Sequence, residues 1–168
     1  MKAYWVIGIA LAAGLQAQPH DCKVDSYVIA GVFMPPGMLM DASLRATRMY
    51  REIGVDIKMR MGRPAHDPSD MCGAPIVIQL EPTNRYPVPT DALAYALPYK
   101  DGLAHVMVHE IGHVLEQMQR HSENGVMKAR WSAADIKRME RDPLPFAPED
   151  VESIREGLLR RATHAAAE

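Results

Sequence analysis

Several kinds of hydrophobic pattern succeed one another along the chain. The first is a short unbroken run. Met1 and Lys2 open it with a positive charge, Ala3 to Leu15 is apolar, and small or polar residues close it at Gln16, Ala17 and Gln18. A run this brief does not span a bilayer as an ordinary helix, and its three-part build is that of an export signal, with cleavage expected after Ala17. Strand-type patterns come next. Val24 to Phe33 is rich in β-branched and apolar residues, and Pro35-Pro36-Gly37 stops it. Val55, Ile57, Met59 and Met61 alternate with polar residues, the period of a half-buried strand. Ile76 to Leu80 reads as a short buried strand, and Ala92 to Leu97 as a further one. Between the first two strands, Asp41 is an expected N-cap for a helix over Ala42 to Ile53, with Leu44, Met49 and Ile53 toward the core and Gly54 ending it.

The helical patterns are strongest later. Asp101 to about Met118 is the best helix in the chain. Ser132 to Arg141 and Pro148 to Arg161 follow, the former with a capping-box pair in Ser132 and Asp135, the latter with proline at a first helical position. Strands with one early helix, then helices, define an α+β protein: a mixed, twisted sheet packed against a long helix, with a helical C-terminal part.

Composition narrows the picture. A chain of 168 residues suits one domain, here expected over 18–168 after a signal peptide over 1–17. Lys and Arg number 19 against 21 Asp and Glu, so no basic field points to nucleic acid. Apart from the leader, no stretch is apolar enough to cross a membrane, and the expected location is periplasmic or extracellular. Export changes how the cysteines read. The two, Cys22 and Cys72, are expected to pair in an oxidising compartment. Closing a loop of about fifty residues contributes roughly 4 kcal/mol on the chain-entropy account, less any strain.

On a helical wheel, Leu103, Met107, Ile111, Val114 and Met118 share one side of the long helix, flanked by Ala104, Val108 and Leu115. His105, His109, Gly112, His113 and Glu116 fall opposite. The apolar stripe is core; the histidines need another account. His109 and His113 are four apart, so their imidazoles project from adjacent turns of one face and can share one zinc ion at about 2.0–2.1 Å. Glu110 stands about 100° round the helix, at the edge of that face. From there a carboxylate can take a proton from a zinc-activated water as it attacks an amide. This is the His-Glu-x-x-His pattern of helix-borne zinc sites, with Glu110 as general base. His105, although four residues before His109, is followed by Val106, which cannot serve as a base, and is expected at the surface or behind the ligands.

A catalytic zinc usually takes three protein ligands. Downstream lies His121-Ser122-Glu123-Asn124-Gly125-Val126-Met127. Over roughly Leu103 to Trp131, the chain resembles the metzincin peptidases, in which a third histidine follows the motif helix and a methionine turn passes beneath the metal. The resemblance implies His109, His113 and His121 as ligands of one catalytic Zn2+, Glu110 as base and Met127 as the turn methionine. Glu116 and Gln119 stand where that family has glycine and the third histidine, and His121 arrives two residues late. The chain must therefore leave the helix near Gln117 to Gln119 and turn back. Glu116, Asp135 and Glu140 remain alternative third ligands. Lys128, Ala129 and Arg130 stand where some metzincins carry a tyrosine. Cys72-Gly73-Ala74-Pro75 also resembles part of the matrixin cysteine switch, which offers Cys72 a second reading as a zinc-capping thiolate.

The function expected is hydrolysis of peptide bonds in a peptide or protein substrate. The alternative from another class is an exported zinc-binding module without turnover, its motif helix kept for folding energy.

Overall fold

The structure, a computed structural model, describes residues 22–64, 73–81 and 100–165. The leader with its cleavage site, Cys72 and the strand expected over 92–97 lie outside the described residues. Cys22 is buried, and no described cysteine is a free thiol.

The order is β1 (Lys23–Ala30), α1 (Met38–Glu52), β2 (Asp56–Met61), β3 (Ile76–Leu80), α2 (Lys100–Glu116), α3 (Ala133–Met139) and α4 (Pro148–Ala165). The α+β class is as expected. The described strands form one sheet in the order β2-β1-β3, with both pairings parallel, Val24 opposite Ile57 and Val28 opposite Ile78. Among the described strands the sheet is thus wholly parallel and not mixed. The reason is topological: α1 carries the chain back to the start of the sheet between β1 and β2, and parallel neighbours need such a crossover.

Helix α1 begins at Met38 with Gly37 at its N-cap, ahead of the expected start, so Asp41 sits in its first turn instead of capping it. A carboxylate there still complements the positive end of the helix. Ala42, Ala46, Met49 and Tyr50 form the buried face. Leu44, expected in the core, is 60% exposed. It lies two residues, about 200°, from both Ala42 and Ala46, and the small alanines mark the side where α1 approaches its neighbour. Helix α3 is shorter than its pattern implies and α4 longer. The Ser132–Asp135 capping box is present, the hydroxyl accepting from the Asp135 amide and the carboxylate from the Ser132 amide.

Helix α2 is the centre of the molecule. It packs on α1, α4, α3 and β3. One continuous core joins Val24 and Ile57 of the sheet, Met49 and Tyr50 of α1, Ile111 and Leu115 of α2, Met127, and Ile154 and Leu158 of α4. The two-sided wheel is corrected by this arrangement. Ala104 through His109 are all buried, as are Ile111, Gly112, Leu115 and Glu116. Val114 and Met118, expected in the core, are exposed. A wheel reports only a helix's own periodicity, and a helix covered by several elements has no single polar face.

Candidate metal centre

Helix α2 ends at Glu116, and Gln117 turns the chain with a left-handed φ of 58°. That backbone state is uncommon outside glycine. Here it is held from α4, where Arg160 donates to the Glu116 carbonyl at 3.0 Å and to the Gln117 side-chain oxygen at 3.1 Å. The early exit that a late third histidine requires is therefore made by a glutamine. The chain then doubles back along α2. Ser122 pairs with Lys128, its amide donating to the Met127 carbonyl at 2.9 Å. Gly125, at φ 78°, meets the Pro145 carbonyl so closely that no Cβ fits.

This return brings His121 to the helix. Ligand atoms of His109, His113 and His121 all lie within 4.8 Å of one another. Their ring centroids are 4.6 Å apart for His109 and His113, 5.3 Å for His109 and His121, and 4.9 Å for His113 and His121. The alternative third ligands do not join them. Glu116 is buried away from the cluster beside Arg120, Asp135 is engaged by Lys128 at 2.6 Å and by its own cap, and Glu140 closes the end of α3.

The hydrogen bonds set the tautomers. His109 Nδ1 stands 2.9 Å from the Val126 carbonyl, and His113 Nδ1 stands 3.2 Å from the Met118 carbonyl. A carbonyl only accepts, so both Nδ1 atoms carry the proton and both Nε2 atoms present bare lone pairs. Those two Nε2 atoms face each other at 3.0 Å. Lone pairs so placed repel unless a cation lies between them. Burial, aided by the neighbouring histidines, holds His109 down to about 4, which keeps its own lone pair free at neutral pH. Two nitrogens at 2.0–2.1 Å from one tetrahedral ion stand about 3.4 Å apart, close to what is seen. The carbonyl-bonded Nδ1–H is also the usual orienting partner of a ligating histidine. The three imidazoles thus fit a metal ion.

Glu110 is exposed at the edge of this cluster, and its charge acts on His121, partly offsetting the burial that lowers that imidazole. Met127 is fully buried beneath the helix. A Cβ on Gly112 would come within 2.6 Å of Met127 Sδ and 2.8 Å of its Cε. Gly112, which the motif leaves unspecified, is what lets the methionine pass under the ligand pair. Trp131 donates to the same Val126 carbonyl that holds His109, at 3.2 Å, and meets the His109 ring edge-on at 5.9 Å.

His105 is not a surface residue: it lies behind the site, its ring 6.2 Å from that of Trp131, which meets His109. It is fully buried, accepts the Leu144 amide on Nε2 at 2.9 Å and gives its Nδ1–H to the Asp101 carbonyl. Burial lowers its pKa, and as a neutral imidazole it ties α2 to the segment before α4. Lys128 points to Asp135 and away from the cluster. Sequence reasoning missed Asp150, which is fully buried in the first turn of α4 and bonded to Arg120 and Ser122 on either side of His121. Nothing in its local pattern separates it from an ordinary first-turn carboxylate.

No protein-family model, no curated protein and no solved structure matches the chain. Its function must be argued from the site. No helix among the described residues is long and apolar enough to cross a membrane.

Proposed function

We propose that the chain is an exported zinc-dependent metallopeptidase of metzincin type, cleaving peptide bonds in a peptide or protein substrate. The observation that carries the reading is the pair of facing Nε2 lone pairs, joined by His121, with an exposed carboxylate one residue along the helix. His109, His113 and His121 would hold the zinc, which would supply Lewis acidity and make a nearby water acidic enough to give up a proton at about pH 7. The protein's own groups do the rest. The Val126 and Met118 carbonyls fix the ring orientations and make the ligating nitrogens more basic. Glu110 accepts the proton of the attacking water and can return it to the leaving amine. The cluster opens to solvent at His121 and Glu110, both exposed, so a substrate carbonyl can reach it. That opening favours turnover over a closed structural site. In the same reading, Cys22 and Cys72 form a disulfide after export.

The test combines metal analysis with hydrolysis. Protein recovered from an exported preparation is expected to hold one zinc per chain and to cleave unstructured peptides. Glu110→Ala is expected to keep the zinc and lose at least 100-fold in rate, the lower end of general-base contributions. A folded chain that takes up no zinc, or cleavage indifferent to Glu110→Ala, would overturn it.

A further inference from the structure

Two of the three imidazoles ride on one helix and are oriented by the Val126 and Met118 carbonyls. His121 has no such support: it lies on an exposed turn between the end of α2 and the Ser122–Lys128 bridge. Besides the Ser122 amide bond to Met127 and the Arg160 bonds to Glu116 and Gln117, one buried side chain, Asp150, holds that turn. Arg120 donates to Asp150 Oδ1 at 3.1 Å, and Ser122 Oγ donates to the same oxygen. The other oxygen, Oδ2, accepts the Ala147 amide at 3.1 Å, which anchors the carboxylate to the start of α4. The Arg120 guanidinium reaches further along α4, to the Glu149 carbonyl at 3.0 Å and Ser153 Oγ at 3.1 Å. His121 is thus held on both sides by neighbours bonded to one fully buried carboxylate.

We infer that Asp150 is the positioning residue of the third metal ligand: through Arg120 and Ser122 it sets where the His121 imidazole stands. The inference rests on the metal centre proposed above. A charged acceptor suits the task. It takes three donors at once, and bonds to an ionised group are stronger and shorter than neutral ones. An asparagine there would offer one oxygen and an amide facing donors.

The test is metal binding and ligand-field spectroscopy, neither of which depends on turnover. Zinc affinity is measured by competition with a chromophoric chelator, and the visible spectrum of the cobalt-substituted protein reads the ligand set. Asp150→Asn is expected to weaken zinc by 10- to 100-fold, the usual effect of losing an outer partner of a ligand. Its cobalt spectrum should move toward that of His121→Ala. Ser122→Ala, which removes one of the two flanking bonds and no charge, should shift both readouts in the same direction by a smaller amount. It also carries the test if Asp150→Asn fails to fold. Leu158→Ala, a buried change elsewhere on α4, controls for lost stability and should leave the cobalt spectrum unchanged. Wild-type affinity and spectrum in both Asp150→Asn and Ser122→Ala would overturn the inference while leaving the metal centre standing. A wild-type chain without stoichiometric zinc would remove both.

Discussion

At the scale of single residues, the site depends on an absence. Gly112 has no side chain where Met127 lies, and the two are in closer contact than any Cβ could tolerate. The methionine is flexible, but it is fully buried and packed under the ligand helix, so its freedom to retreat is small. Gly112→Ala is therefore expected to destabilise the fold by about 1–3 kcal/mol, the common range for an inserted methyl in a filled space, even though alanine is the better helix former. Urea unfolding of the chelated protein measures this, and an unchanged midpoint would mean that the methionine moves aside freely. The His-Glu-x-x-His pattern was legible because ligand chemistry imposes a spacing on a helix. Met127 was singled out through the metzincin resemblance, by its place six residues after His121. Gly112 was not legible, since it is needed for a contact across the chain; the exit near Gln117 was, but not its left-handed state, which Arg160 of a distant helix holds.

Helices and strands were legible in kind and less so in their surroundings. The long helix was visible from its periodicity, and its ends fell close to expectation. Its environment was not visible, because α4 and the returning turn cover a face that the wheel left polar. Glu116 shows the consequence. Helix α4 comes so near here that a Cβ on Gly157 would collide with the Leu115 carbonyl, and Glu116 is enclosed with neither carboxylate oxygen hydrogen-bonded. Burial raises its pKa to about 7, although Arg120 at 3.5 Å pulls the other way. A pKa raised on folding marks stability that is fully present below the unfolded value of 4.5 and is lost as pH rises through about 7. Glu116→Gln keeps the shape and removes the charge. It is expected to match the wild type near pH 4.5 and to be more stable by up to about 3 kcal/mol at pH 8, the linkage of a carboxyl raised from 4.5 to about 7. A difference independent of pH would show that the carboxyl does not titrate in this window.

For the whole molecule, metal and fold are coupled through the same histidines. Two ligands belong to the central helix and the third to a turn bolted to α4, so an ion binding all three ties the C-terminal helix to the core. A ligand that binds only the folded state stabilises it by about 4 kcal/mol when present at a thousand times its dissociation constant. For a domain of this size that corresponds to roughly 8–16 °C in midpoint, which chelation should remove and zinc should restore. Proton competition carries a sharper signature. Zinc needs all three imidazoles neutral, and three ordinary ones with pKa about 6.5 would release up to three protons on binding below that value. His109 is held to about 4 by burial, so it is already neutral and has almost no proton to release between pH 6 and pH 5. Burial lowers His121 as well. The logarithm of apparent zinc affinity is therefore expected to fall by no more than about two per pH unit across that interval. A competition titration run at half-unit steps measures the slope, and a value approaching three would mean that His109 holds its proton as a solvated imidazole does and that the enclosure of the ligand pair is not felt in solution.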